Sequence, residues 1–97
     1  MKEKIEKFKT AKEFGKALGL TDIEIELIQQ KKKLIEKLRK AREKQGLSQK
    51  ELAELISSKQ PAIARMESGQ VSEVSLDFLC KVALTLEVPF TIKRRAA

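Results

Sequence analysis

Three long polar side chains fall close together in residues 48–69, SQKELAELISSKQPAIARMESG: Lys59, Gln60 and Arg65. Their chemistry is directional hydrogen bonding to a flat polar target. A glutamine amide sets one donor beside one acceptor, the pattern that meets adenine N6 and N7. An arginine guanidinium sets two donors in parallel, the pattern that meets guanine O6 and N7. Pro61 and Ala62, beside Gln60, offer small apolar surfaces suited to a thymine methyl.

The rest of the composition removes competing chemistries. There is no histidine, and Cys80 is the single cysteine. The usual zinc sites, Cys–His nucleophiles and histidine general bases are therefore not available; no metal, cofactor or catalytic activity is expected. A lone thiol forms no intramolecular disulfide, which fits a reducing cytoplasm, and its place on an apolar stripe marks it as a core residue. Four Phe with no Trp or Tyr argue against base stacking as a binding mode. The net charge of +7 points to a polyanionic partner. Its excess lies outside residues 48–69: residues 1–45 carry fourteen cations against eight carboxylates, and residues 46–97 seven against six, with Lys93, Arg94 and Arg95 in the tail. No stretch approaches a membrane span, and the charged start lacks the apolar centre of a signal peptide.

The elements that would position the polar side chains are helical. Thr10–Glu13, Thr21–Glu24 and Ser48–Glu51 each read as a capping box, in which side chain and backbone satisfy one another's open N–H groups. They predict a short helix to Leu18, ended by Gly19, then a long helix over about 22–45, ended by Gly46, then a helix with Leu52, Ala53 and Ile56 inward. The long helix carries two apolar groups, Ile23/Leu27/Ile28 and Leu34/Ile35/Leu38/Ala41, separated by Gln29–Lys33. Either it is continuous and presents two surfaces, or it breaks there. Gln60–Ser68 reads as a helix with Pro61 in its first turn and Ile63 and Met66 inward. Ser75 caps a last helix to about Leu86 with a Leu76/Leu79/Cys80/Ala83/Leu86 stripe. Phe90 and Ile92 alternate with Thr91 and Lys93, a period of two that predicts a short C-terminal β-strand. Its simplest partner is the same strand of a second copy, which makes Phe90 and Ile92 dimerisation candidates.

Two helices joined by three or four residues form a helix-turn-helix, whose second helix sets its first side chains against base edges in the major groove. Residues 34–88 resemble the Xre family of phage Cro and cI repressors through Gly46-Leu47-Ser48-Gln49, Glu51-Leu52-Ala53, Gln60, Ile63, Arg65, Glu67-Ser68-Gly69, Ser75-Leu76 and Leu79. The resemblance implies an all-α, lambda-repressor-like bundle of five to six helices with the short C-terminal strand. It implies a helical extension over 1–30, the DNA-binding domain over 31–88 and a dimerising strand or tail over 89–97. By the same resemblance Gln49 contacts phosphate, Gln60, Pro61, Ala62 and Arg65 lie where bases are read, and Ser68 and Gln70 hold phosphate. Lys50 and Lys59 join this set, and Arg42 and Glu67 match a structural ion pair. The family's turn usually carries a glycine; here it is Ser57-Ser58-Lys59. That turn either avoids positive φ or accepts it at a cost of about 1–2 kcal/mol.

The N-terminal extension and the VPFTIKRR end also look like HigA-type antitoxins. This implies a homodimeric repressor of a near-palindromic operator that also binds a small toxin, with Ile23, Leu27 and Ile28 as toxin-binding candidates. The alternative is a free-standing regulator that uses the same apolar group to complete its own fold.

Overall fold

The computed structural model describes residues 11–92. Among the described residues there are five helices: α1 (Ala11–Ala17), α2 (Asp22–Lys44), α3 (Gln49–Leu55), α4 (Gln60–Glu67) and α5 (Leu76–Leu86), with a 3-10 turn at Val71–Glu73 before α5. Local chemistry sets the main boundaries. Thr21 and Ser48 each form the full reciprocal capping box with Glu24 and Glu51, and the Ser75 hydroxyl accepts from the Phe78 N–H. The capping box expected at Thr10 lies outside the described residues.

α2 is continuous through Gln29–Lys33 and is the axis of the molecule. Its second apolar group enters the core: Leu38 is fully buried with Leu52 of α3, Ile63 and Met66 of α4, and Leu79 and Val82 of α5. The first group divides. Ile28 packs at the edge of that core, whereas Ile23 is 81% exposed and Leu27 44% exposed. Ile25, which the periodicity does not single out, is the buried residue of this stretch, at 4% exposure. It lies under α1, where a Cβ added to Gly15 would stand 2.6 Å from its Cγ1. α1 therefore sits so close to α2 that any Cβ at position 15 would require the Ile25 side chain to shift. On α5 the stripe is buried at Leu79, Ala83 and Leu86, while Leu76 is on the surface and Cys80 half-buried.

The expected C-terminal β-strand is not formed. Among the described residues there is no strand, and residues 89–92 run without regular structure beside α2. A lone strand leaves its ladder groups without partners. Here Phe90 instead packs on the chain's own core, and Lys37 Nζ donates to the Pro89 carbonyl at 2.9 Å. Phe90 and Ile92 consequently do not share an environment as strand positions two apart would: Phe90 is half-buried and Ile92 is 62% exposed. The remainder of the expected strand, from Lys93, lies outside the described residues.

Candidate nucleic-acid interface

The turn between α3 and α4 closes by hydrogen bonds from Ser57 N–H to the Glu54 carbonyl, 3.2 Å, and from Ser58 N–H to the Ala53 carbonyl, 2.8 Å. This is the Schellman closure, which needs a left-handed residue just past the helix. Gly46 fills that position after α2 with φ 74°; after α3 Ser57 fills it with φ 56°. Of the two alternatives for the turn, positive φ without glycine is the one realised.

α4 then begins at Lys59, whose side chain makes no capping bond. Pro61 removes one of the open N–H groups of the first turn, and the Ala62 N–H reaches the Lys59 carbonyl at 2.9 Å. The positive end of the helix dipole and the Lys59 ammonium therefore coincide on an exposed surface, an arrangement that favours an anion. Ile63 and Met66 fix α4 to the core. Pro61 and Arg65, one turn apart, and Ser68 beyond them are exposed.

A chain of hydrogen bonds runs from the core to the start of α4. Arg42 Nε and Nη2 grip Glu67 Oε2 and Oε1 at 2.7 and 3.0 Å, and Nη1 reaches the Leu47 carbonyl at 2.7 Å. Both side chains are largely buried, 12% and 6% exposed. The hydrogen bond to Glu67 pushes the Arg42 guanidinium above its ordinary range, against the opposing effect of burial. Glu67 Oε1 also accepts from Gln49 Nε2 at 2.9 Å, and Gln49 Oε1 accepts from Gln60 Nε2 at 2.6 Å. The direction of this relay is fixed. A carboxylate held by arginine only accepts, so Gln49 must turn its NH2 to Glu67 and its oxygen to Gln60. Gln60 must answer with its own NH2. One N–H and Oε1 of Gln60 remain for an adenine edge, and one N–H of Gln49 remains for a phosphate.

The other candidates take different positions. Lys50, Lys59 and Gln70 are exposed, and Ala62 is half-buried beside Pro61. Arg65 is half-exposed, with Nε 3.8 Å from Glu73 Oε1. That contact is long and solvated, so it restrains the guanidinium weakly. The Ser68 hydroxyl donates to the Arg65 carbonyl at 2.8 Å, so its proton is already committed within the helix. Ile23 and Leu27 lie on α2 ahead of the family-like segment, and Phe90 and Ile92 follow α5; neither pair joins α3 or α4. The positioning role of Gln49 and the Glu73 carboxylate facing Arg65 were not legible in the sequence. Both depend on the angle between elements rather than on residue spacing.

Among the described residues no group of three potential ligands could hold a metal ion, and no helix is long and apolar enough to cross a membrane. Residues 38–93, more than half the chain, match a protein-family model described as helix-turn-helix. No curated protein and no solved structure matches the chain.

Proposed function

The chain belongs to the Xre-type helix-turn-helix family of DNA-binding regulatory proteins, and we propose that it is a sequence-specific repressor that reads duplex DNA with the first turns of α4. The observation that carries this reading is the Arg42–Glu67–Gln49–Gln60 relay, which points a donor–acceptor pair outward from α4. Gln60 pairs with an adenine, and Arg65 leaves Glu73 to pair with a guanine. Pro61 and Ala62 flank them against thymine methyls. Lys50, Lys59, Gln70 and the spare N–H of Gln49 hold phosphate and set the register, while the base contacts supply discrimination. The Ser68 hydroxyl joins them only by giving up its bond to Arg65. Two copies occupy half-sites roughly 34 Å apart on a near-palindrome. Selection from a pool of random duplexes tests this: enrichment of paired half-sites one helical turn apart supports it, and an unenriched pool removes it.

A second reading, that the chain is also an antitoxin holding a small toxin, is favoured by one observation. Ile23 and Leu27 stay exposed at 81% and 44%, whereas Ile28 is drawn into the chain's own core edge. The local charge does not oppose it: residues 1–30 carry six cations against six carboxylates, and Asp22, Glu24 and Glu26 flank the pair. Recovery of the tagged chain from its host, analysed by intact mass, separates the readings. A stoichiometric small protein lost on Ile23→Asp/Leu27→Asp substitution supports the antitoxin; the chain alone supports a free-standing regulator.

A further inference from the structure

A groove of about 560 Å³ lies between α2 and residues 89–92, on elements that do not include α3 or α4. Its apolar surface is made by Leu27, Leu34, Leu76, Phe90 and Ile92. Leu34 is buried at the base, and Leu27, Leu76 and Ile92 are more than a third exposed at the sides. Lys31, Lys33 and Lys37 also line it. Among the described residues none of these ammonium groups is paired with a carboxylate. Lys31 donates only to the neutral carbonyls of Val71 and Val74, at 3.0 and 2.7 Å, and Lys37 to that of Pro89. Glu26, the one carboxylate on the lining, accepts from Gln30 Nε2 at 3.1 Å. Three cations thus face an apolar trough against one carboxylate, so cations outnumber acids on the lining.

We propose that this groove is a binding site for a small anionic amphiphile, a single carboxylate-type head on an apolar body, with Lys33 meeting the head and Leu27, Leu34, Leu76 and Ile92 the body. The volume falls in the range of small-molecule sites, about 300–1,000 Å³, which are apolar with a few placed polar groups. Charge selects the occupant. A second copy of the chain brings the same lysines and a net charge of +7. The chain's own tail, Lys93-Arg94-Arg95-Ala96-Ala97, carries three cations and no acidic side chain. Both are repelled from a lysine-lined trough, whereas an anion is drawn to it. Lys31 gives the site a route to the DNA-reading face. The carbonyls it holds belong to the segment that directly follows α4, and an anion in the groove competes with them for the same ammonium.

Titration of the 15N-labelled full chain with octanoate, followed by amide shifts and with 1-octanol as the neutral control, tests the proposal. Saturable shifts are expected at Leu27, Leu34, Leu76, Thr91 and Ile92, followed by Val71 and Val74 through Lys31. Octanol should bind at least tenfold more weakly. Lys33→Glu should weaken octanoate at least tenfold, and Lys33→Arg should retain it. Equal binding of octanol and octanoate would overturn the assignment, as would shifts spread equally over the exposed Leu55 and Leu84. So would movement of the groove amides on simple dilution of the protein, the signature of a second copy in the groove.

Discussion

Gln60 carries two equivalent-looking ends, and its neighbours choose between them. Glu67 accepts from Gln49, Gln49 accepts from Gln60, and the outward face of Gln60 is left with one donor and one acceptor. The anchor of this order is Arg42. Removing it leaves the Glu67 carboxylate, 6% exposed, with only the Gln49 amide. Arg42→Ala is therefore expected to lower stability by about 3 kcal/mol, read as the shift of the urea midpoint; an unchanged midpoint would reduce the pair to a surface contact. Ser57 stores a smaller cost. It occupies the left-handed position that Gly46 occupies elsewhere, so Ser57→Gly relieves steric strain but adds chain entropy to the unfolded state. The expected net gain is about 0.5–1 kcal/mol, measured by the same denaturation, and a loss would mean that the serine contributes more than its backbone. At this scale the sequence announces which residue types carry chemistry. It does not announce who orients them: serine in place of the family's glycine left the turn open in both directions, and Gln49 reads as a phosphate contact because its reach to Gln60 depends on how α3 and α4 cross.

Elements were legible where their signals are local. The reciprocal boxes at Thr21 and Ser48 and the glycine after α2 act within one turn, and the helix ends fall where those residues put them. The C-terminal segment shows where such reading stops. Alternation over Phe90-Thr91-Ile92-Lys93 is as compatible with an irregular segment beside α2 as with a strand. The difference lies in the apolar seat for Phe90 and the ammonium of Lys37, both supplied by a helix some fifty residues earlier. Ile25 was missed for a related reason, since its burial depends on α1 folding back across Gly19 to bring Gly15 onto it. That docking is open to test. In an exposed helix Gly→Ala stabilises by about 0.5–1 kcal/mol; at Gly15 the added Cβ meets Ile25 side-chain atoms at 2.6 and 2.9 Å. Gly15→Ala is expected to speed amide hydrogen exchange in α1 while α3 to α5 keep their protection. Unchanged or slower exchange in α1 would show that the contact yields easily.

For the whole molecule, the distribution of charge separates two contributions to binding. Residues 48–69 carry three cations and three carboxylates, while residues 31–45 carry eight cations and two carboxylates, so on the proposed reading general attraction to a polyanion and base recognition draw on different residues. Lys59, exposed at the start of α4 with no capping role, is expected to contribute one phosphate contact. Lys59→Ala should then lower the slope of log K against log salt by about 1 and weaken all duplexes alike. A sequence-dependent loss would instead move Lys59 among the base-reading residues. Gln60 should behave in the opposite way, and it carries the central claim. The most direct measurement is selection from a random duplex pool with the wild-type chain and with Gln60→Ala, followed by affinities for the selected site and its single-base variants. The expected result is a near-palindromic site in which Gln60→Ala loses preference at one adenine per half-site, worth about 1–3 kcal/mol, with unselected DNA bound as before. Identical selected sites for the two proteins, or equal weakening on every duplex, would contradict it.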